Sequence, residues 1–493
     1  MNAIGRREFL RLSGFATAAA SLGLTFTWRG ARPAYGADLS PFAHVLNRVT
    51  WAARREDLAR ITEMGIEAYL DWQLSPESIA DPVVDAYVQN SPVSLSRAGI
   101  AAALNNAYGE TETAILVTRL VRAAYSERQL YELVVEFWTD HFNIPIGDYV
   151  AEKTIDDREV IRKHALGKFR DLVFASAQSE AMLRYLNNDS SSKEHPNENY
   201  ARELMELHTL GVDGGYSEAD VKAVARAFTG WTVRGSGDRP FFFDQEMHDE
   251  GEKIVLGQKL AAGRGIEDGL EVLDILARHA STARFIAFKL CRRFVSDNPP
   301  QSLVESAAQQ FSATDGDIRA VLRHILLSPE FMDSAGQKLR RPMDYLVGVM
   351  RLMRMEADDP WLLLYPLQMM GHIPFYWHPP NGYPDVAAAW INTNGLLTRW
   401  NIALSLPLAA LGQIEGLRLS FGELGNTSST AYEMIDETAA YLLAGGALSP
   451  KHRDMLAGLI HADPNASLDL MKRAEVLPAL VALIFASPYF QWK

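Results

Sequence analysis

Apolar residues recur at helical spacing along almost the whole of this chain, and that period leaves room for little but an α fold. The runs Pro41 to Trp51, Arg55 to Gln73, Glu112 to Phe142, Thr154 to Ser179 and Asn197 to Leu210 each present an apolar stripe at i, i+3, i+4 and i+7. The pattern resumes from Ile266 to Ser328 and again from Arg341 to Met355, Ala387 to Leu404, Thr430 to Leu443 and Lys451 to Ile460, with a last helix near Arg473 to Phe485. Strand signals are confined to residues 231–260. There Trp231 to Arg234 and Phe241 to Asp244 flank Gly235-Ser236-Gly237-Asp238, the makings of a short hairpin. The expectation is a mainly α protein: a large multi-helical body over 38–335 with an irregular insertion near 231–260 and one short β-hairpin, and a C-terminal helical section, 336–493, packed on it. At 48% hydrophobic and 22% charged residues, the chain can fill a large core.

Before the first helix stands a segment of another kind. Gly5-Arg6-Arg7-Glu8-Phe9-Leu10-Arg11 looks like the twin-arginine export signal, followed by a charge-free stretch from Leu12 to Trp28 and by small residues at Ala34, Gly36 and Ala37 suited to cleavage. The stretch is shorter and less apolar than the roughly 20 residues of a membrane span. Residues 1–37 are therefore expected to be a signal peptide read by the twin-arginine machinery, and the mature protein to be periplasmic or secreted, with no transmembrane span. That route carries folded cargo, which raises the expectation of a cofactor or a travelling partner. After residues 1–37 are removed, 43 basic and 60 acidic residues leave a net charge of -17. Such a surface disfavours nucleic acid. The lone Cys291 excludes an internal disulfide and sits in an apolar helical pattern, as a buried thiol would.

The longest motif is Asn197-Glu198-Asn199-Tyr200-Ala201-Arg202-Glu203-Leu204-Met205-Glu206-Leu207-His208-Thr209-Leu210-Gly211. With Tyr216 to Val221 and Ala225 to Trp231, it resembles the bacterial family called domain of unknown function 1800. Further blocks agree in order: Phe137-Trp138-Thr139-Asp140-His141-Phe142, His248 to Lys253, Lys338-Leu339-Arg340-Arg341-Pro342, Pro379 to Pro384, and Trp390-Ile391-Asn392. The resemblance implies an exported protein whose members are commonly encoded beside a secreted family similar to alkaline phosphatases and sulfatases. That suggests such a partner, and it implies no reaction.

Chemistry must come from the residues. On a regular helix, Asn199, Arg202, Glu203 and Glu206 fall within an arc of about 100°, and Arg202 and Glu206 form an i,i+4 pair. Glu203 and Glu206 can then approach one substrate or one metal together, while His208 points roughly 150° away and cannot join them. An exposed salt-bridged face or a buried polar network would account for the same pattern. His141 shares a helix face with Val134, Phe137 and Trp138, the setting of a core histidine. His248, Asp249 and Lys253 lie in a polar, glycine-punctuated stretch, where they could serve a ligand or clasp the hairpin to the body. Trp377 and Tyr383 belong to an aromatic, proline-rich loop suited to stacking on a sugar or a peptide. Nucleophile-elbow, P-loop, dinucleotide-fingerprint and zincin patterns are absent from the sequence.

Three readings follow. The first is a hydrolase acting on an envelope or extracellular polymer, carbohydrate favoured, with Glu203, Glu206, His248 and Asp249 as catalytic residues. Asn199, Arg202, Lys253, Trp377 and Tyr383 would bind its substrate. The second adds a divalent metal, zinc, iron or manganese, held by His141, Glu203 and His248. The third is a non-catalytic assembly protein co-exported with its phosphatase-like partner.

Overall fold

Helices and short connections run from Ser40 to the last residue in the computed structural model, which describes residues 39–493 apart from 236–240, 423, 425–427, 461–462, 464 and 466. The expected signal peptide, 1–37, and the tip of the first hairpin lie outside the described residues. One hydrophobic cluster extends from Ala43 to Phe490 and takes in helices on both sides of residue 335. The chain end closes back on this body. Lys338 and Lys493 exchange backbone hydrogen bonds (3.0 and 2.8 Å), and Arg340 N–H donates to the Gln491 carbonyl. Among the described residues, no helix is long and apolar enough to cross a membrane.

The fold is mainly α, and the hairpin forms where the sequence signals it, Trp231–Val233 pairing antiparallel with Phe241–Phe243. Two further antiparallel pairs join it. Lys253–Val255 pairs with Gln258–Leu260 through Leu256 and Gly257, both at positive φ, as a tight two-residue hairpin requires. Glu356–Ala357 pairs with Leu417–Arg418 across the intervening residues 358–416, a partnership that local pattern does not signal.

Several long helical runs are broken, one of them where side chains substitute for helix hydrogen bonds. Residues 112–142, expected to be continuous, divide into Tyr108–Tyr125 and Gln129–His141. At the break, Ser126 Oγ accepts from Arg128 N–H, Gln129 Nε2 donates to the Ala123 and Ser126 carbonyls, and Leu130 N–H donates to Gln73 Oε1. Satisfied in this way, the backbone can turn without an orphan donor. Gly65, at φ +80°, divides the 55–73 run. The 154–179 run becomes Val150–Asp156, a π-helical segment Asp157–Arg162, and Phe169–Ala177.

Candidate functional site

The Asn197 helix departs from regular geometry at the residues that matter. Asn197 Oδ1 caps it, accepting from Asn199 N–H at 2.8 Å, and an α segment Glu198–Glu203 passes directly into a π segment, Leu204–Thr209. The widening shows in i→i−5 bonds, with Leu210 N–H donating to the Met205 carbonyl and Thr209 Oγ1 to that of Leu204. Such segments recur at functional sites. The 100° step used above therefore fails beyond Glu203, yet the sorting survives: His208 is buried while Glu203 and Glu206 are half-exposed. Arg202 does not take Glu206 as partner. It forks onto Glu218 (2.7 and 2.8 Å) with Glu198 at 3.8 Å, because the neighbouring helix offers a planar bidentate acceptor that one turn of the same helix cannot. Asn199 is exposed beside it.

Glu203 is left with no hydrogen-bond or ion-pair partner among the described residues. Burial raises its pKa, the Glu206 carboxylate raises it further, and Arg202 opposes both. Glu206 accepts from the Tyr216 hydroxyl at 3.5 Å. On the other flank stands Tyr185, its hydroxyl pushed up to about 12 by burial and by the Glu203 charge, and it donates to the His378 carbonyl. Tyr185, within electrostatic reach of Glu203, thereby holds the loop of Trp377 and Tyr383. In that loop the Trp377 indole donates to Asn381 Oδ1, the Tyr383 hydroxyl donates to the Ile373 carbonyl, and the two rings lie 5.0 Å apart. Tyr185 also ends the short helix Glu180–Tyr185. Glu180, about 8 Å back along that helix, lines a cleft of about 260 Å³ with Glu152, Asp156, Glu159, Lys163 and Gln178.

His248, Asp249 and Lys253 form a separate group. The His248 Nδ1–H donates to the Thr229 carbonyl at 2.8 Å and its Nε2 lies 3.4 Å from Asp268 Oδ2, an oxygen that also receives buried Lys253 at 2.6 Å. Asp249 accepts a fork from Arg226 (2.7 and 2.9 Å) and the Gly251 N–H, and the Arg226 bonds hold its carboxyl below the usual range. These contacts clasp the Lys253–Val255 hairpin to the helix Glu218–Ala227. That helix packs against both the Asn197 helix and the hairpin. No hydrogen bond or ion pair among the described residues joins Glu203 or Glu206 to His248 or Asp249.

His141 lies in a third place. Its Nε2–H donates to the His208 carbonyl at 2.9 Å, which fixes the tautomer and turns the Nδ1 lone pair toward Lys289 Nζ, also at 2.9 Å. Burial, Lys289 and His208 push its pKa well below the ordinary value, so the ring is neutral. His141, Glu203 and His248 are thus not gathered around one point. Among the described residues, no group of three or more His, Cys, Asp and Glu side chains could hold a metal ion.

Around His141, however, the structure assembles residues that the sequence reading passed over. Arg341 bonds Asp140 at 2.6 Å and lies 3.4 Å from Glu136 and 3.9 Å from Asp344. Arg119 links Glu136 to Glu132. Burial pushes Asp140 up to about 6 against the opposing pull of Arg341. Asp385, one residue past the Pro379–Pro384 block, is held low by Lys338, Arg293 and Arg341 against burial. The loop that carries it sits directly on the end of the helix Gln129–His141, where Asn143 Nδ2 donates to the Trp377 and Pro379 carbonyls (both 2.8 Å). Four sequence blocks that lie far apart in the chain, those containing His141, His208, Arg341 and Pro384, therefore converge here. Lys289 carried a readable signal of its own: Phe285, Ile286, Arg292 and Arg293, its i±3 and i±4 neighbours, include no acid to pair with it.

Comparison with known proteins yields one match. A sequence model of the family described as Protein of unknown function (DUF1800) covers residues 44–492. No curated protein and no solved structure matches the chain.

Proposed function

Since the chain belongs to the DUF1800 family, whose description names no reaction, we propose its activity from the site: a hydrolase cleaving an envelope or extracellular polymer, carbohydrate favoured, with Glu203 as proton donor. The observation that carries this reading is a half-buried carboxyl with a raised pKa and no partner to occupy it. A carboxylic acid in that state retains its proton at higher pH than an ordinary glutamate and can deliver it to a leaving oxygen. Glu206 projects from the same widened turn, so it meets the substrate on the same side as Glu203 and serves to hold the attacking water or to steady developing positive charge. Asp249, occupied by Arg226, and His248, engaged by Thr229 and Asp268, take the role of scaffold in this scheme rather than of acid or base.

The polymer preference rests on what adjoins the pair. Tyr185, bonded to the His378 carbonyl, and the half-exposed Trp377 offer aromatic surface on which successive units could stack. Extracytoplasmic location is part of the same proposal and rests on Arg6 and Arg7 within the export-type motif.

The test is turnover of purified protein on a panel of envelope and extracellular polysaccharides. Glu203→Gln is expected to lose about 10²- to 10⁴-fold in kcat, the range of one general acid. Activity of the wild type should fall as pH rises through the elevated Glu203 value, because the proton to be donated is then lost. Full turnover in a normally folded Glu203→Gln protein would remove the glutamate from the chemistry and the proposal with it.

A further inference from the structure

Lys289 is used by nothing described so far. It sits half-buried on the helix Ala280–Phe294, and among the described residues no carboxylate lies within ion-pair distance of it. Its hydrogen bond goes to the Nδ1 lone pair of His141, a neutral ring anchored from behind by the His208 carbonyl. The acids nearest in charge, Asp140 and Asp385, are engaged by Arg341 and by Lys338 and Arg293. Burial pushes the Lys289 ammonium down to about 8; Asp140 and Asp385 oppose the change and Arg292 assists it. At pH 7 that leaves roughly 300-fold more neutral amine than an ordinary lysine carries.

Arg292 stands three residues on, on the same helix face. Its Nε donates to the Asp297 carbonyl at 3.1 Å, its guanidinium lies 4.3 Å over the Phe288 ring, and it has no carboxylate partner among the described residues. An amine held in place by an acceptor, beside a guanidinium that lacks an anion, suits a ligand with a carbonyl next to a carboxylate. We propose that Lys289 is a nucleophile that forms an imine with a small 2-oxo acid, the carboxylate of which is received by Arg292.

In the reaction the neutral amine adds to the carbonyl carbon. The carbinolamine then loses water, and the two amine protons depart with the former carbonyl oxygen. His141 is a positioning residue here, since its Nδ1 aims the amine and its depressed basicity keeps it from holding a proton.

The experiment needs no hydrolytic readout and so stands or falls apart from the Glu203 reading. Full-length protein is incubated with pyruvate and sodium cyanoborohydride, and in parallel with acetaldehyde and the same reductant, and every lysine is followed by peptide mass mapping. Lys289 is expected to be labelled about tenfold or more faster than the exposed lysines at pH 7, with half-maximal rate near pH 8. Pyruvate should outpace acetaldehyde at Lys289 alone, and Arg292→Gln should erase that preference while acetaldehyde still labels. Labelling of wild-type Lys289 no faster than at exposed lysines, or without preference for the oxo acid, overturns the proposal without recourse to a variant. Retention of the preference in a folded Arg292→Gln protein removes Arg292 from it.

Discussion

Gly382→Ala isolates the contact on which the loop 377–385 depends. Gly382 has φ +69°, and a Cβ there would stand 1.9 Å from the Asp140 carbonyl oxygen and 2.7 Å from its carbon. Ordinary contact begins at 3.4 Å, so loop and helix end must separate by about 1.5 Å. Neither side yields easily, since both contacts are to backbone. The left-handed conformation alone costs alanine about 1–2 kcal/mol. If the loop lifts, it also exposes Tyr383, which is 8% accessible and packs 4.2 Å from His372. An aromatic ring of about 150–200 Å² contributes roughly 4–5 kcal/mol at 25 cal/mol per Å², an upper figure because the unfolded chain is partly compact. The expected loss is therefore about 3–5 kcal/mol, read as the urea midpoint shift multiplied by the m-value. Gly371→Ala is the control. Its φ is +71° with nothing within 4 Å of the added Cβ, so it bears the conformational strain without the collision and should lose only about 1–2 kcal/mol. Equal losses in the two variants would refute the reasoning, because the Asp140 contact would then contribute nothing.

Two further expectations concern buried groups. Asp344 receives Lys493 at 3.0 Å, with Arg293 at 3.4 Å and Arg341 at 3.9 Å, and these cations hold its carboxyl well below the ordinary range against burial. Asp344→Asn should cost about 3–5 kcal/mol at pH 7, since it leaves buried cations unpaired. Because the folded pKa is the lower one, the stabilisation is present above the unfolded value near 4 and is lost as pH falls toward the folded value. The gap between wild type and variant in urea midpoint should accordingly narrow below pH 4, and a gap independent of pH would contradict the assignment. Burial pushes the Cys291 thiol up to about 12. A thiol reagent at pH 8 should therefore react only on unfolding, and rapid labelling of the native protein would contradict it.

Much of the architecture was legible because it is local. The helical period, the Ser217 capping box with Asp220, and the turn residues around Trp231–Phe243 each express interactions between residues a few positions apart. The breaks were hidden for the opposite reason. The kink after Tyr125 depends on Gln73, which lies 57 residues before the Leu130 N–H it satisfies. The π segment at Leu204 was likewise hidden, because its i→i−5 bonds leave no mark on the apolar period that precedes it. For the site, sequence placed Glu203 beside Glu206, since one turn suffices to do so, and it kept His208 apart from them. It could not choose between a ligand site and a clasp for His248 and Asp249, because the deciding partners, Asp268 and Arg226, come from elsewhere in the chain.

Lys289 marks the boundary most clearly. Its lack of an acidic helical neighbour was written in the sequence. That it should meet His141, 148 residues earlier, beside a loop from Asp385 was decided only by packing. By itself the sequence determined the class of fold, the family resemblance and which residues share a turn, all properties of spacing along the chain. Tertiary structure decided which charges are buried together and which are left without a partner, because the desolvation that shifts a proton or frees an amine exists only once distant segments have excluded water from one another.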